Sequence, residues 1–172
     1  MPTKARKTIS VTALLAGLCA ASLGGQPSAR VEPSHVQRLT GAPWKGSLTY
    51  LDYSSGKSTS IPSALVVTPA AADERSWRFD YQYPDEPRAN SSSLVTIAAD
   101  GSTIDGEQVR ERSATADGLL RIVTEKPGQD DGRPAVFRFT YVIGDSSFSR
   151  RKEVKLEGAA EFFERHIYTW IR

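Results

Sequence analysis

The residues from Trp77 to Tyr83 constrain this chain more than any other stretch. In Trp77-Arg78-Phe79-Asp80-Tyr81-Gln82-Tyr83, four aromatic side chains alternate strictly with three polar ones. Successive side chains of a β-strand point to opposite faces, so a period of two marks a strand with one face buried and the other wet. A helix cannot sort these residues, because at 3.6 residues per turn the aromatics would spread around its whole circumference. Pro84 and Pro87 then end the strand.

The same alternation recurs. Residues 44–53 place Trp44, Leu48 and Tyr50 on one side, and a Ser54-Ser55-Gly56-Lys57 turn leads into residues 60–68. Residues 135–143 set Phe137, Phe139, Tyr141 and Ile143 on one face. Asp100-Gly101 reads as a hairpin turn between residues 94–98 and 103–112, and Asp117-Gly118 leads into residues 119–125. Gly144-Asp145-Ser146 turns into residues 148–156, and residues 162–172 form the last strand. About nine short strands at regular spacing, with turns of Gly, Asp and Ser, specify an all-β antiparallel meander. It closes as a barrel of about eight to ten strands, or folds as a sandwich. No βαβ unit interrupts the pattern, which excludes a parallel sheet. Ahead of the strands, residues 34–39 read as one helical turn, with Ser34 as N-cap, Gln37 in the capping-box position and Gly41 ending it.

The N-terminus carries a different signal. Lys4, Arg6 and Lys7 precede an uncharged run over residues 8–29, whose apolar part ends in Ala20-Ala21-Ser22-Leu23-Gly24-Gly25. A basic end, a short apolar segment and small residues are the layout of a secretory signal peptide. The apolar part is too short for a membrane span, which needs about 20 residues. The chain therefore divides into a signal peptide over residues 1–25, a lead-in over 26–42 and a barrel domain over 43–172. The expected location is the bacterial periplasm or the exterior. Cys19 offers a lipid anchor as the weaker alternative, since the bulky Leu18 stands where a lipoprotein has a small residue. Removing the leader deletes three of 22 basic residues and no acidic one, leaving 19 against 20 and a net charge of −1. That balance excludes a basic nucleic-acid surface. Cys19 is also the one cysteine, so the remainder holds no disulfide and no thiolate metal site.

Gly41-Ala42-Pro43-Trp44, following the helical turn and heading the first strand, resembles the Gly-x-Trp of lipocalins and related calycin barrels, with one residue more between Gly and Trp. The resemblance implies an up-and-down barrel whose Trp plugs one end, with an Arg from a late strand packed across it. Arg165 and Arg172 are the candidates for that Arg. Residues 44–53, with Arg151-Lys152-Glu153-Val154 and the C-terminal residues 165–172, are also similar to uncharacterised exported bacterial proteins.

Catalytic signals are sparse. There is no Gly-x-Ser-x-Gly, and the two histidines, His35 and His166, have no metal-ligand spacing, so neither cofactor nor metal is expected. Gly128-Gln129-Asp130-Asp131-Gly132-Arg133 reads as a turn, because it lacks the alternating oxygen ligands of a calcium loop. A hydrolase using His166 with a nearby carboxylate stands as the enzymatic alternative. The cations are more informative. Arg150 and Lys152 share parity with Phe148, Val154 and Leu156, while Gln108, Arg110 and Arg112 share parity with Ile104. If those faces line the barrel together with Trp77, Phe79, Tyr81 and His166, they form a cavity suited to a small hydrophobic or anionic amphipathic ligand. The plainer alternative pairs the cations with Glu107, Glu111, Glu153 and Glu157 across exposed strands and leaves the aromatics as core. The expected function is non-catalytic ligand binding; the alternative is a cell-envelope structural or protein-interaction module with a filled barrel.

Overall fold

The computed structural model describes residues 29–52, 54–70 and 73–172. The signal-peptide and Cys19 readings lie outside them. A helical turn α1 (Pro33–Gln37) precedes β1 (Trp44–Asp52), β2 (Lys57–Pro69), β3 (Ser76–Gln82), β4 (Ser91–Thr96) and β5 (Thr103–Ile104). Then follow β6 (Glu107–Ala114), β7 (Leu120–Asp130), β8 (Arg133–Ile143), β9 (Ser147–Leu156) and β10 (Phe163–Ile171). All ten strands join one antiparallel sheet in the order β4-β3-β2-β1-β10-β9-β8-β7-β6-β5. Pairing of β1 with β10 brings the ends of the barrel domain together, so the meander rolls into a ring.

The ring closes between β4 and β5 at one level only. Ile97 bridges Ile104, and the Asp105 amide donates to the Thr96 carbonyl at 2.8 Å. Beyond that level β4 pairs with β3 on one side and, among the described residues, with no strand on the other. Leu94, 58% exposed, sits on this open edge. The result is the calycin-like barrel, nearly closed, rather than a sandwich. No helix of the described residues is long and apolar enough to cross a membrane.

The N-cap lies two residues earlier than the sequence suggests. Pro33 occupies the first helical position, where its missing N–H costs nothing, and Glu32 becomes the N-cap. The reciprocal bond is made by His35, whose Nδ1 accepts from the Glu32 amide at 3.0 Å. Gln37, expected in the capping box, instead accepts from the Trp77 indole N–H at 3.1 Å. This contact seats α1 over the end of the barrel where β1 and β3 begin.

Packing fills that end. Trp44, Trp77, Trp170 and Phe148 are buried in one cluster with Val31, Val36, Leu39, Ile97 and Ile104. The Trp44 indole N–H donates to the Leu39 carbonyl at 2.8 Å. The Arg172 guanidinium lies 4.2 Å from the Trp44 ring centroid and donates to the carbonyls of Arg38, Thr40 and Asp145 at 2.9–3.0 Å. Arg172 is thus the arginine that the calycin resemblance implied; Arg165 lies near the opposite end, donating to the Leu51 carbonyl at 2.8 Å. Along the inner face of β10, Trp170 stacks on Phe148 at 5.2 Å and on Tyr168 at 4.8 Å.

β1 carries Gly46 directly opposite Trp170, and a Cβ there would fall 1.9 Å from the Thr169 carbonyl oxygen. The obstacle is backbone, which cannot swing away. Gly46→Ala is therefore expected to lower stability by about 1–3 kcal/mol, read as a reduced denaturation midpoint with an unchanged far-UV spectrum.

Candidate ligand-binding site

Cross-strand register explains why cations stand inside. On β9, Phe148, Arg150, Lys152 and Val154 share the inner face, opposite Ile143, Tyr141, Phe139 and Phe137 of β8. On the other side Arg150 pairs with Tyr168 and Lys152 with His166 of β10. Each cation is therefore bracketed by rings. The Arg150 guanidinium lies 4.6 Å from the Phe139 centroid, and the Lys152 ammonium 3.7 Å from that of Phe137. Cations over ring faces are attracted by the ring quadrupole, an interaction that strengthens where water is excluded.

The buried counter-charge is Glu107, whose exposure is 0%. It accepts from the Thr124 hydroxyl at 2.6 Å and the Tyr141 hydroxyl at 2.8 Å. Arg150 reaches it at 3.3 Å and Lys126 at 3.8 Å. Arg150 also donates to the Tyr141 oxygen at 3.3 Å. Burial, followed by the adjacent Glu107 carboxylate, pushes the Tyr141 phenol up despite Arg150, so it remains a neutral donor. A buried carboxylate with this many donors is the condition under which internal charge is tolerated.

Beyond this layer the barrel opens. A pocket of about 470 Å³ has an apolar wall of Leu48, Tyr50, Ile61 and Tyr83, facing Lys152, Arg165, His166 and Asp130. Glu86 and Ala89 of the loop after β3 form its lip, and the Tyr83 amide holds that loop by donating to the Asn90 side chain at 2.7 Å. The Tyr83 and Tyr168 hydroxyls share a hydrogen bond at 2.7 Å. Arg165 lies 3.6 Å from Asp130. A bulge between Glu164 and His166 makes Arg165 the extra residue and keeps Phe163 and His166 both opposite inward β9 positions. His166 packs edge-on to Tyr168. Its pKa falls to about 4, first through burial and then through Arg150, Lys152 and Arg165, so the imidazole is neutral at physiological pH. Among the described residues no carboxylate hydrogen-bonds it, so it lacks the orienting partner of a triad.

Of the residues singled out in the sequence, the structure gathers Arg150, Lys152 and His166, with Tyr81 tilted against Tyr168 at 5.5 Å. Trp77 and Phe79 do face inward, but within the packed core. Arg110 departs from the expectation, and Arg112 meets it in register but lies away from the mouth. Residues 103–112 are not one strand: Asp105 and Gly106, with φ of 50° and 71°, turn the chain so that Ile104 pairs with Glu107. Glu107 and Val109 therefore take the inner face, while Gln108 lies exposed. A bulge after Val109 shifts the register again. Arg110 points outward, 56% exposed, 3.3 Å from Glu125, whereas that bulge returns Arg112 to the inner register position opposite Ile122, where it is nonetheless exposed. Sequence parity missed Glu107 as the inner counter-ion for the same reason. It also missed Lys126 and Asp130, which sit on the part of β7 beyond the strand end read at residue 125, and the place of Arg165 at the mouth, which the bulge in β10 sets.

A larger concavity, about 810 Å³, lies on the outer face of β6–β10, among Arg110, Arg121, Arg138, Arg151 and their acidic neighbours. Its charges are matched, Arg138 to Glu125 at 2.9 Å and Arg121 to Glu111 at 2.5 Å. Exposed matched pairs of this kind contribute little and leave no cation demanding a ligand, so the mouth is the better candidate despite its smaller volume.

The sequence matches no protein-family model. It matches no curated protein. Among solved structures, the wild-type fluorescent protein UnaG shares 10% identity and a TM-score of 0.40, covering 80% of this chain and 98% of its own. A point mutant of UnaG gives 9% and 0.39, covering 80% and 97%. So distant a likeness carries no argument about function.

Two outcomes follow from the buried charges. Glu107→Gln leaves Arg150 and Lys126 without a counter-charge and is expected to cost about 3–5 kcal/mol, whereas Glu111→Gln on the outer face costs under about 0.5 kcal/mol, both read by urea denaturation. The folded chain resists protonating His166, while the unfolded chain takes up the proton near the ordinary value of 6.5. Stability is thus full above that value and is lost as pH falls from 6.5 to about 4. His35, also lowered by burial, acts in the same direction, so the decisive comparison is with His166→Asn, whose urea midpoint should fall less between pH 7 and 5.

Proposed function

We propose that this protein is a non-catalytic carrier or receptor for a small anionic amphipathic molecule, held at the open end of the barrel with its apolar part against Leu48, Tyr50 and Ile61. One observation carries the reading: Lys152 and Arg165 face that apolar wall across the pocket, with Arg150 and Lys126 behind them. Partly buried cations outnumber the carboxylates beside them, Asp130 and Glu107, and an anionic head group would correct the imbalance. A site of this size lies within the range of about 300–1,000 Å³ common for small-molecule pockets. The basic-then-apolar N-terminus supports placing the binding outside the cytoplasm, in the periplasm or beyond.

The open edge of β4, with exposed Leu94, favours a second reading as an interaction module that pairs with an extended strand of another protein. The two make different demands on the mouth.

Titration with the anionic fluorophore 1-anilinonaphthalene-8-sulfonate distinguishes them. One probe should bind per folded chain, and Lys152→Glu should weaken binding at least about tenfold, while Arg110→Glu on the outer face leaves it unchanged. Equal effects of the two substitutions, or no binding by the folded protein, would overturn the proposal.

A further inference from the structure

Lys152 differs from the other inward cations. Arg150 and Lys126 reach Glu107, and Arg165 reaches Asp130, but among the described residues no carboxylate lies within ion-pair distance of Lys152. Its ammonium rests on the Phe137 ring at 3.7 Å, half-buried, at the edge of the open pocket. The groups around it come from every neighbouring strand: Glu107 of β6, Lys126 and Asp130 of β7, Arg150 of β9, Arg165 and His166 of β10, and Tyr83 above β3. Burial lowers the pKa of Lys152 most; Arg165, Arg150 and Lys126 lower it further against the opposing pull of Asp130. Desolvation and neighbouring cations are the two conditions that turn a lysine from a charge into a nucleophile.

We infer that Lys152 is a site of covalent imine formation with small apolar aldehydes that enter the mouth. The Nζ lone pair attacks the carbonyl carbon, forming a C–N bond while the C=O π pair moves to oxygen. A proton passes from nitrogen to oxygen, giving a carbinolamine. Loss of that oxygen as water then leaves a C=N bond. One amine and one aldehyde yield one imine and one water, with no oxidant or reductant. His166, directly across from Lys152 on β10 and uncharged, is placed to take the proton from nitrogen and return it to the departing hydroxyl. Leu48, Tyr50 and Ile61 provide the wall for the hydrocarbon tail. This activity is distinct from reversible binding of an anion and does not depend on it.

The full-length folded protein, treated at pH 7 with limiting hexanal and sodium cyanoborohydride, tests the inference by peptide mapping in a mass spectrometer. Lys152 should be alkylated about tenfold faster than the exposed Lys45 and Lys57, because burial and the neighbouring cations favour its free amine. Lys152→Arg keeps the charge over Phe137 and should abolish the fast adduct without altering the rates at Lys45 and Lys57. His166→Gln should slow the adduct at Lys152 alone. In urea the advantage of Lys152 should vanish. Equal rates at Lys152 and Lys45 in the folded protein, or an advantage that persists in urea, would overturn the inference. A fast adduct in a protein that ignores the anionic fluorophore would sink only the carrier reading.

Discussion

Arg150 and Lys126 stand inside a barrel whose other inward side chains are largely aromatic, and Glu107, with no exposed surface, is the charge that allows them to remain there. Taking an unpaired ion from water into such surroundings costs several kcal/mol. Glu107 offsets this for two cations at once, and the hydroxyls of Thr124 and Tyr141 saturate its second oxygen. The inner faces of β6, β7, β8 and β9 are thereby tied at one level. That level separates two halves with different uses.

Toward α1 the interior is solid. Trp44, Trp77, Trp170 and Phe148 fill it, and Arg172 clamps Trp44 while capping carbonyls at the end of the helical turn and in the β8–β9 loop. Away from α1, beyond Tyr168 and its hydrogen bond to Tyr83, the walls separate and the remaining cations meet solvent. A filled barrel and a ligand-binding barrel were posed as alternatives by the sequence. The barrel is filled at one end and open at the other. A packed end gives rigidity to the residues that line the open one, which is what a binding site with few polar groups requires.

Much of this was legible in the residues. Period-two alternation in residues 77–83 and 135–143 placed the aromatics on one face, and the same parity put Arg150 and Lys152 with them. Gly41-Ala42-Pro43-Trp44 pointed to the plug, and Arg172 completes it. What failed was parity across an unrecognised break. Asp105-Gly106 is as good a hairpin signal as Asp100-Gly101, five residues earlier, but two such turns leave β5 only two residues long. Read as one strand, residues 103–112 sent Arg110 inward and hid Glu107, while the bulge happens to restore the parity of Arg112. The bulges after Val109 and at Arg165 carry no local sequence signal, because a bulge is fixed by the partner strand as much as by its own residues. Lone strands can be read from alternation; which charges meet across the barrel depends on register.

The coupling between Glu107 and Arg150 is the quantity on which this description turns, and a double-mutant cycle measures it. Stabilities of Glu107→Gln, Arg150→Met and the double variant, taken by urea denaturation, should give an interaction energy above about 1 kcal/mol, since residues sharing a network couple by about 0.5–3 kcal/mol. Removing both charges should then harm the fold less than the two single losses combined. Additivity within about 0.5 kcal/mol would mean that the two residues do not meet inside the barrel, and the arrangement of its interior would have to be abandoned.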